Sequence, residues 1–323
     1  MKDREGIVPT LFVEADSIPE AHYKAVSAVW NQGVAKRTQY DRKDSTGAYI
    51  DPPGKEAQVL IKIGDPFSDP RYPPLSFCER GKYILELLGV KDNHVIPMEE
   101  ILKGIDEKAL GTQWPYTYHQ RLEAHPNPSG NVNQIESLVE RFAEDVNTRR
   151  AVMTTRCPVI DTRLTEDLPC LGEIQFRALE KEDGTLVLNM TALWRSRDLF
   201  KAWPDNVLAI TYLGRKIVQR IGERIGRQVE FGAYTDYSNS LHIYGQDFSH
   251  IEKDEKRGRK GFFEVFPDVE SYVKRSWDSA TARDLEVIPQ MEAILDESQW
   301  RFAAKEIAEI RAEIEFLKGG GLP

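Results

Sequence analysis

The stretch Thr185-Leu186-Val187-Leu188-Asn189-Met190-Thr191-Ala192-Leu193-Trp194 is largely apolar from end to end. A run of this kind predicts a strand that is buried on both faces. The tripeptide Glu182-Asp183-Gly184 stands directly before it and is typical of a hairpin turn. Residues 171–181, on the other side of that turn, are therefore predicted to form the partner strand.

Further strands and helices are grouped on either side of this hairpin. Residues 1–18 look extended, and strands are predicted over 150–156, 228–235 and 240–245. Helices are predicted over 19–33, 79–88, 97–103 and 131–143, after Pro204, through most of the chain from about 267, and over 298–317. The segments 41–55 and 64–74 have loop chemistry. Because hairpin strands are segregated from helices, the pattern favours an α+β fold rather than alternating βαβ units.

The composition is that of an ordinary globular protein. The chain has 323 residues, of which 41% are hydrophobic and 29% charged, and its net charge is −9. An acidic chain argues against DNA as a partner and against a general nucleic-acid or membrane-surface role. A local cluster of arginines can still bind a phosphate group.

Cysteine usage and the chain start bear on the compartment. The three cysteines, Cys78, Cys157 and Cys170, have no paired spacing, so neither a disulfide framework nor a zinc site is expected. The start, Met1-Lys2-Asp3-Arg4-Glu5, lacks a signal-peptide core, and no apolar run is long enough to cross a bilayer. A cytoplasmic protein with reduced thiols and no membrane partner is expected.

One cysteine lies between two groups of arginines. Cys170 stands in Leu168-Pro169-Cys170-Leu171-Gly172-Glu173, with Arg149-Arg150 upstream and Arg195-Ser196-Arg197-Asp198 downstream. Arginine binds phosphate in a bidentate manner, and nearby positive charge favours thiolate over thiol. The pattern indicates nucleophilic chemistry on a phosphorylated substrate. The alternative is a small buried hydrophobe, as most free cysteines are.

These pieces occur in the order found in thymidylate synthases, and the sequence resembles that family. The matching pieces are Arg149-Arg150, Pro169-Cys170, Arg195-Ser196-Arg197-Asp198, Pro204-Asp205-Asn206 and His242-Ile243-Tyr244. The resemblance is best over 130–250, vague over 1–130, and absent over the mainly helical residues 260–323. It implies one domain over 1–323 with the thymidylate synthase-type α+β fold: a mixed sheet, helices packed on it, and a dimer formed through the sheet.

The resemblance implies a covalent reaction on a pyrimidine nucleoside monophosphate. C5 of the pyrimidine is a poor nucleophile until a thiolate adds to C6, and Cys170 is the candidate for that step. The one-carbon donor would be 5,10-methylenetetrahydrofolate or a related pterin, and no metal is implied.

Phosphate binding is expected from two subunits. The resemblance implies that Arg195 and Ser196 hold the 5′-phosphate within one subunit. It also implies that Arg149 and Arg150 reach the neighbouring subunit's site, which makes the protein a homodimer with shared active sites. The alternative for Arg149 and Arg150 is an ordinary pair of surface charges.

Two further roles each have two candidates. A phosphate-binding arginine in the N-terminal loop would be Arg42, with Arg37 as the alternative. A glutamate that manages waters near C4 and C5 would be Glu86, with Glu79 as the competitor, and either could simply face solvent.

The base and the sugar have their own candidates. Asn206 would read the base, because an amide can both donate and accept and so can pair with N3–H and O4 of uracil. The alternative is a helix N-cap at Asp205 or Asn206. His242 and Tyr244 would contact a ribose hydroxyl, and the alternative is aromatic packing on an ordinary strand.

The folate side has one candidate and one supporting segment. Asp198 would hydrogen-bond the pterin, and the alternative is a salt bridge to Arg195 or Arg197. Tyr116 and Tyr118 belong to a segment that resembles one lining the site.

The sequence also departs from the family pattern. Leu171 follows the cysteine where many members have His, and Trp194 precedes the Arg-Ser pair where many have Gln. Asn239-Ser240-Leu241 replaces Gly-Asp-Thr, and the tryptophan pair that often lines the folate side is not evident.

These departures leave three functions open. The expected reaction converts dUMP to dTMP. The close alternative is a pyrimidine nucleotide 5-hydroxymethylase acting on dUMP, dCMP or CMP, in which water rather than hydride completes the reaction. The remote alternative is a non-catalytic nucleotide or RNA binder, which would need the arginines but not Cys170.

Overall fold

The computed structural model describes residues 6–104, 113–164, 168–253, 258–296, 302 and 304–321. They form two compact units, each built from separate stretches of chain. The first unit comprises the described parts of Met1–Phe77, Trp194–Val207 and Thr235–Asp278. The second comprises the described parts of Cys78–Leu193, Leu208–Tyr234 and Ser279–Pro323. The single domain expected from the resemblance stays a prediction.

Strands β1, β3 and β8 are neighbours in that order in the first unit, where β2 pairs with β3 and β7 with β8. The bounds are β1 Thr10–Ala15, β2 Val34–Lys36, β3 Gly54–Ile63, β7 Arg197–Asp198 and β8 Val229–Ile243, whose first residues belong to the second unit. β1 runs parallel to β3, with Val13 opposite Ile61, whereas β2 runs antiparallel to β3. β7 runs parallel to β8, with Asp198 opposite His242.

Helix α1 covers the sheet of the first unit. It spans Ile18–Gln32, as predicted, and the Ser17 side chain caps it by accepting a hydrogen bond from the Glu20 backbone. Its face of Ala25, Val26 and Val29 is fully buried. The other helices of this unit are α8 Phe248–Ile251, α9 Phe262–Val265 and α10 Val269–Lys274.

The second unit contains the predicted hairpin. Its strands are neighbours in the order β8-β6-β5-β4, with β4 Val152–Thr154, β5 Leu171–Glu180 and β6 Leu186–Trp194. Gly184 has φ +83°, the left-handed conformation that a tight turn requires, and the Lys181 amide donates to the Thr185 carbonyl across it at 2.9 Å. β6 is buried on one face and half-buried on the other, so the expectation of two buried faces was wrong.

Helices make up most of the rest of the second unit. They are α2 Arg80–Leu87, α3 Met98–Leu102, α4 Tyr118–Glu123, α5 Gln134–Glu144, α6 Pro158–Asp161, most of α7 Trp203–Ile225, α11 Ser279–Ala282, α12 Ile288–Asp296 and α13 Ala304–Lys318. The predicted helix over 298–317 coincides with α13 except at its start, where 298–301 and 303 lie outside the described residues. No helix within the described ranges is both long and apolar enough to span a bilayer.

Strand β8 corrects one prediction. The sequence suggested two strands, over 228–235 and 240–245, but a single strand runs from Val229 to Ile243. The residues between the two predicted strands include Asp236 and Ser238, which are fully buried. Both are satisfied inside the first unit, because Asp236 accepts hydrogen bonds from Arg197 and from the Ser238 hydroxyl. The mixture of a mixed sheet and packed helices confirms the α+β class.

Candidate active site

Cys170 lies directly before β5 and is only half-buried. Its Sγ is 3.9 Å from the Leu168 carbonyl oxygen. Cys157, by contrast, is 3% exposed and packs in an apolar cluster that includes Ile96 and Ile160. The alternative of a sealed small hydrophobe therefore describes Cys157 and not Cys170.

The aromatic segment 116–118 contacts the residue after Cys170. The Leu171 amide donates to the Tyr118 hydroxyl at 3.4 Å, and the rings of Tyr116 and Tyr118 are 5.8 Å apart. Leu171 itself is fully buried at the start of β5. The leucine in this position thus anchors the strand, while the cysteine before it stays accessible.

The two glutamate candidates differ in burial. Glu86 lies on α2 with 20% of its side chain exposed, and its Oε2 accepts from the Lys91 ammonium at 2.7 Å. Glu79 precedes α2, is 60% exposed and pairs with Lys82. Glu86 is therefore the less exposed of the two candidates.

Arg149 and Arg150 are exposed in the connection between α5 and β4. The Arg150 amide donates to the Thr148 hydroxyl at 3.2 Å. Within the described ranges, neither guanidinium has an ion-pair partner in its own chain. Both are consequently available to an anion supplied from outside the subunit.

The bend between β6 and β7 holds the Arg-Ser pair. Arg195 is exposed and Ser196 half-buried, whereas Arg197 is 3% exposed. The Arg197 guanidinium lies 3.8 Å from the centre of the Trp194 ring and forms an ion pair with Asp236. Trp194, which replaces the usual Gln, therefore packs against Arg197.

Asp198 does not pair with either arginine beside it. Its Oδ1 accepts from the Lys201 amide at 3.0 Å, and the Lys201 ammonium lies 4.0 Å from its other oxygen. Lys201 also pairs with Asp247 at 2.9 Å. Burial raises the pKa of Asp198 to about 6, although the Lys201 amide and ammonium oppose this rise. The carboxylate is therefore mostly ionised at neutral pH.

Asn206 lies inside helix α7, which begins at Trp203, so neither Asp205 nor Asn206 is its N-cap. The Arg197 Nε–H donates to Asn206 Oδ1 at 3.1 Å. The Asp205 carboxylate accepts from the Ser76 hydroxyl at 3.1 Å and from the Phe77 amide. The N-cap alternative is thereby wrong.

His242 and Tyr244 lie at the end of β8. Their ring centres are 4.5 Å apart in an edge-to-face arrangement. His242 Nδ1 is 3.2 Å from the Ser240 carbonyl oxygen, which can only accept, so Nδ1 carries the proton. The opposite nitrogen, Nε2, is shielded from solvent and has no partner among the residues that the structure describes. It is a buried acceptor suited to a hydroxyl group.

The surroundings keep His242 neutral. Burial lowers its pKa below the ordinary value, and the positive charge of Arg195 lowers it further. The Ser240 carbonyl and Glu56 act in the opposite direction but are outweighed. Glu56 accepts from the Ser240 hydroxyl at 2.9 Å and pairs with Lys36 at 3.1 Å.

Both N-terminal arginine candidates already contact Asp51. Arg42 is exposed and binds the Asp51 carboxylate in a bidentate manner at 2.6 and 2.7 Å. Arg37 donates to the Asp51 carbonyl at 2.7 Å, pairs with Asp41 and lies 4.0 Å from the Tyr49 ring. A phosphate would have to share either guanidinium with acidic neighbours, and the choice between them stays open.

One cluster could be mistaken for a metal site. Ligand atoms of Asp92, His119 and Glu123 lie within 4.8 Å of one another, and a cleft of about 640 Å³ includes both acids. Burial alone would lower the pKa of His119, but hydrogen bonding and charge from Asp92 outweigh it and raise that pKa. The ring nitrogen donates to Asp92 at 2.6 Å, so we assign the cluster to a structural charge pair.

Several partners in this region were not found from the sequence. Asp236 pairs with Arg197 across 39 positions, and Asp247 pairs with Lys201. Glu56 lies on β3, to which sequence analysis assigns no element. No local pattern marks such pairs, because their partners come from distant strands.

A model of the thymidylate synthase family matches residues 99–290, more than half of the chain. The chain belongs to the thymidylate synthase family. This confirms the resemblance inferred from the order of the motifs. The matched segment contains Arg149, Arg150, Cys170, Arg195 and Asn206.

Archaeal relatives agree with the family model. A protein of Methanococcoides burtonii is 28% identical over 241 residues, covering 75% of this chain and 93% of the relative. One from Methanosarcina mazei is 27% identical over 241 residues, covering 74% and 92%. One from Methanocaldococcus jannaschii is 35% identical over 143 residues, covering 43% and 60%. Each carries the name "Putative thymidylate synthase".

Proposed function

We propose that this protein transfers a one-carbon unit to C5 of a pyrimidine nucleoside monophosphate, converting dUMP to dTMP. The observation that carries the proposal is the accessible Cys170 in a chain of the thymidylate synthase family. The other two cysteines fit this role less well, because Cys157 is buried in an apolar cluster and Cys78 lies outside the family motifs.

Cys170 is the proposed nucleophile. Its thiolate forms a bond to C6, and the C5–C6 π electrons move toward C5 and O4, which makes C5 nucleophilic. After C5 has gained the one-carbon unit, the C5 proton would pass to water held by Glu86 and the bond between that unit and its donor would break, which leaves an exocyclic methylene on C5. Once hydride has added to the methylene, the electron pair returned to C5 re-forms the C5–C6 double bond and expels sulfur as the thiolate. Glu86 would manage the water and protons near C4 and C5, with Lys91 keeping its carboxylate in place.

The nucleotide would be held by groups with distinct tasks. Arg195 and Ser196 would bind the 5′-phosphate, and Arg149 and Arg150 would serve the neighbouring subunit of a homodimer. The exposure of these last two arginines, and their lack of an ion pair within the described part of their chain, support that role. The buried acceptor Nε2 of His242, together with Tyr244, would receive the sugar hydroxyl.

The Asp198 carboxylate suits the pterin of methylenetetrahydrofolate. A pterin has an amino group and a ring N–H, and one carboxylate can accept a hydrogen bond from each. Asp198 offers a largely ionised carboxylate, held by the Lys201 amide at 3.0 Å. When bound, the folate would supply the one-carbon unit and the hydride.

The second candidate is a pyrimidine nucleotide hydroxymethylase. The sequence Ser240-Leu241-His242-Ile243-Tyr244 also resembles those enzymes, and the tryptophan pair that often lines the folate side is not evident, whereas Leu171 after the cysteine resembles the archaeal-type synthases. The two activities share the addition of Cys170 to C6. They differ in whether hydride or water adds to the exocyclic methylene on C5, which depends on how dry the pocket is.

Trapping the adduct tests the shared step. We expect incubation with 5-fluoro-dUMP and methylenetetrahydrofolate to increase the intact mass of the protein by the mass of the ternary adduct. A Cys170→Ser variant should show no increase, while a Cys78→Ser variant should behave like the wild type. Adduct formation in the Cys170→Ser variant would refute covalent catalysis by this residue.

Product analysis separates the two activities. Incubation with dUMP, dCMP and CMP, followed by mass spectrometry of the nucleotide, distinguishes a methyl from a hydroxymethyl product by one oxygen atom. A methylated dUMP product is expected. A hydroxymethylated product from any of the three would establish the second candidate instead.

A further inference from the structure

The side chain proposed to read the base is itself held by a buried arginine. Arg197 donates through Nε–H to Asn206 Oδ1 at 3.1 Å. An arginine N–H can only donate, so the end of the amide that faces it must be the oxygen. The contact therefore fixes which end of the Asn206 amide is the acceptor.

Arg197 has little freedom to release this amide. Its Nη1 forms an ion pair with Asp236, which is fully buried, and its Nη2 approaches the Trp203 carbonyl at 3.5 Å. The guanidinium lies against the Trp194 ring at 3.8 Å. Since the guanidinium is planar and rigid, these contacts also hold Nε in place.

The orientation of an amide decides which pyrimidine it complements. Uracil offers a donor at N3–H and an acceptor at O4, whereas cytosine offers an acceptor at N3 and a donor at N4. An amide turned by 180° exchanges its oxygen and nitrogen, so one orientation matches uracil and the other matches cytosine. An asparagine that can turn would discriminate poorly between the two bases.

We propose that Arg197 is a positioning residue that fixes the Asn206 amide in the orientation selective for uracil nucleotides. The proposal rests on the function proposed above and deepens it by naming what sets the base preference. It gives Asp236 and Trp194 a purpose as well, because they hold the guanidinium that holds the amide.

The test replaces Arg197 by a residue that still neutralises the buried Asp236 carboxylate. An Arg197→Lys variant keeps a cation for Asp236, but the single nitrogen of lysine replaces two separate arginine nitrogens, Nη1 at Asp236 and Nε at Asn206, so it is not expected to hold both groups. The matched control is Ser238→Ala, which removes the hydrogen bond of 3.2 Å from the Ser238 hydroxyl to Asp236 and leaves the Asn206 side chain unchanged. Equilibrium dissociation constants for dUMP and dCMP are measured on the full chain, with thermal melts to check folding.

The ratio of the two dissociation constants is the readout. We expect the wild type to prefer dUMP by at least about 100-fold, and Arg197→Lys to reduce that ratio about tenfold. Ser238→Ala should keep the wild-type ratio. Asn206→Ala should also lose discrimination, and adding Arg197→Lys to it should cause no further loss, because both act through one amide.

The outcomes separate the two proposals. If the wild type prefers dUMP and Arg197→Lys keeps the same ratio of the two dissociation constants, the role of Arg197 is refuted while the proposed function stands. The same holds if the losses of discrimination from Arg197→Lys and Asn206→Ala multiply, because the two residues would then act independently. A merely structural role would weaken the binding of both nucleotides equally and leave the ratio unchanged. A wild type that binds neither nucleotide would overturn the proposed function and the inference with it.

Discussion

The residues around β7 and the end of β8 differ sharply from those around Cys170. In the first region several polar side chains are held by partners within the chain: Arg197 donates to Asn206, Lys201 joins Asp198 to Asp247, and the Ser240 carbonyl orients His242. In the second, Cys170 is half-buried directly before β5, and Arg149, which precedes β4, is exposed. The contrast teaches that polar groups around β7 and the end of β8 are oriented by the fold itself, whereas the proposed nucleophile and the paired arginines are less enclosed.

Replacing the proposed nucleophile is expected to cause the largest loss of activity. Cys170→Ser should lower kcat/KM by about 10⁴-fold or more, because a serine hydroxyl is a much weaker nucleophile than a thiolate. Steady-state assays with dUMP measure the effect. Cys157→Ser is the matched control, and it should lower stability by about 1 kcal/mol while activity is retained, because a hydroxyl enters an apolar cluster. Equal losses in the two variants would contradict the assignment.

Changing the base reader should redirect specificity without abolishing chemistry. In Asn206→Asp, a carboxylate beside Arg197 can accept from the cytosine amino group but cannot donate to uracil O4. We expect the kcat/KM ratio of dUMP to dCMP to fall by about 10² to 10³-fold. Competition assays with both nucleotides measure this ratio, and an unchanged preference would refute the role of Asn206.

Mixing two variants tests whether Arg149 and Arg150 serve the neighbouring subunit. Arg149→Ala or Arg150→Ala should raise KM for the nucleotide by about 10 to 100-fold, which is the loss of one charge-assisted hydrogen bond. At nucleotide concentrations well below the raised KM, mixing the Arg150→Ala protein with the Cys170→Ser protein should give more activity than the two proteins show separately, because some mixed dimers then contain one intact shared site. Mixtures whose activity only equals the sum of their components would exclude sharing.

Replacing Asp198 is expected to have the smallest effect, a change in the free energy of unfolding that depends on pH. Its pKa is raised to about 6 in the folded protein, so its contribution to stability is complete below the unfolded value of 3.8 and is lost as pH rises through about 6. Asp198→Asn should therefore raise the free energy of unfolding by roughly 2–3 kcal/mol at pH 8. At pH 5 the gain should be smaller, as urea denaturation at both pH values will show.

Asp183 is the control with the opposite sign. Hydrogen bonds from Thr185 lower the pKa of Asp183, so its contribution is present at high pH and is lost as pH falls. Asp183→Asn should consequently lower stability at pH 8, if it changes stability at all. A gain at pH 8 in both variants would mean that the effect of Asp198→Asn is not electrostatic.

The sequence predicted the local elements well. The hairpin at Gly184, helix α1 and helix α7 follow from apolar spacing and turn residues within a few positions of one another. β8 runs without a break through Asp236 and Ser238, which lie between the two strands that the sequence predicts. Their burial depends on Arg197, 39 positions before Asp236, and a local pattern does not report such a partner.

Distant partners within the candidate site were likewise not predictable from local sequence patterns. The order of motifs was enough to select Cys170, Arg149, Arg195, Asn206 and His242 as candidates. It did not reveal the ion pairs that support them, since those pairs join separate strands and loops.

The hydrogen bond between His242 and Ser240 has a consequence for sequence drift. The acceptor is the main-chain oxygen of residue 240, 3.2 Å from Nδ1, and every amino acid provides that oxygen. Substitutions at 240 can alter the hydroxyl without changing the tautomer of the imidazole. Different side chains in the tripeptide Asn239-Ser240-Leu241 would therefore leave the lone pair of His242 Nε2 in place.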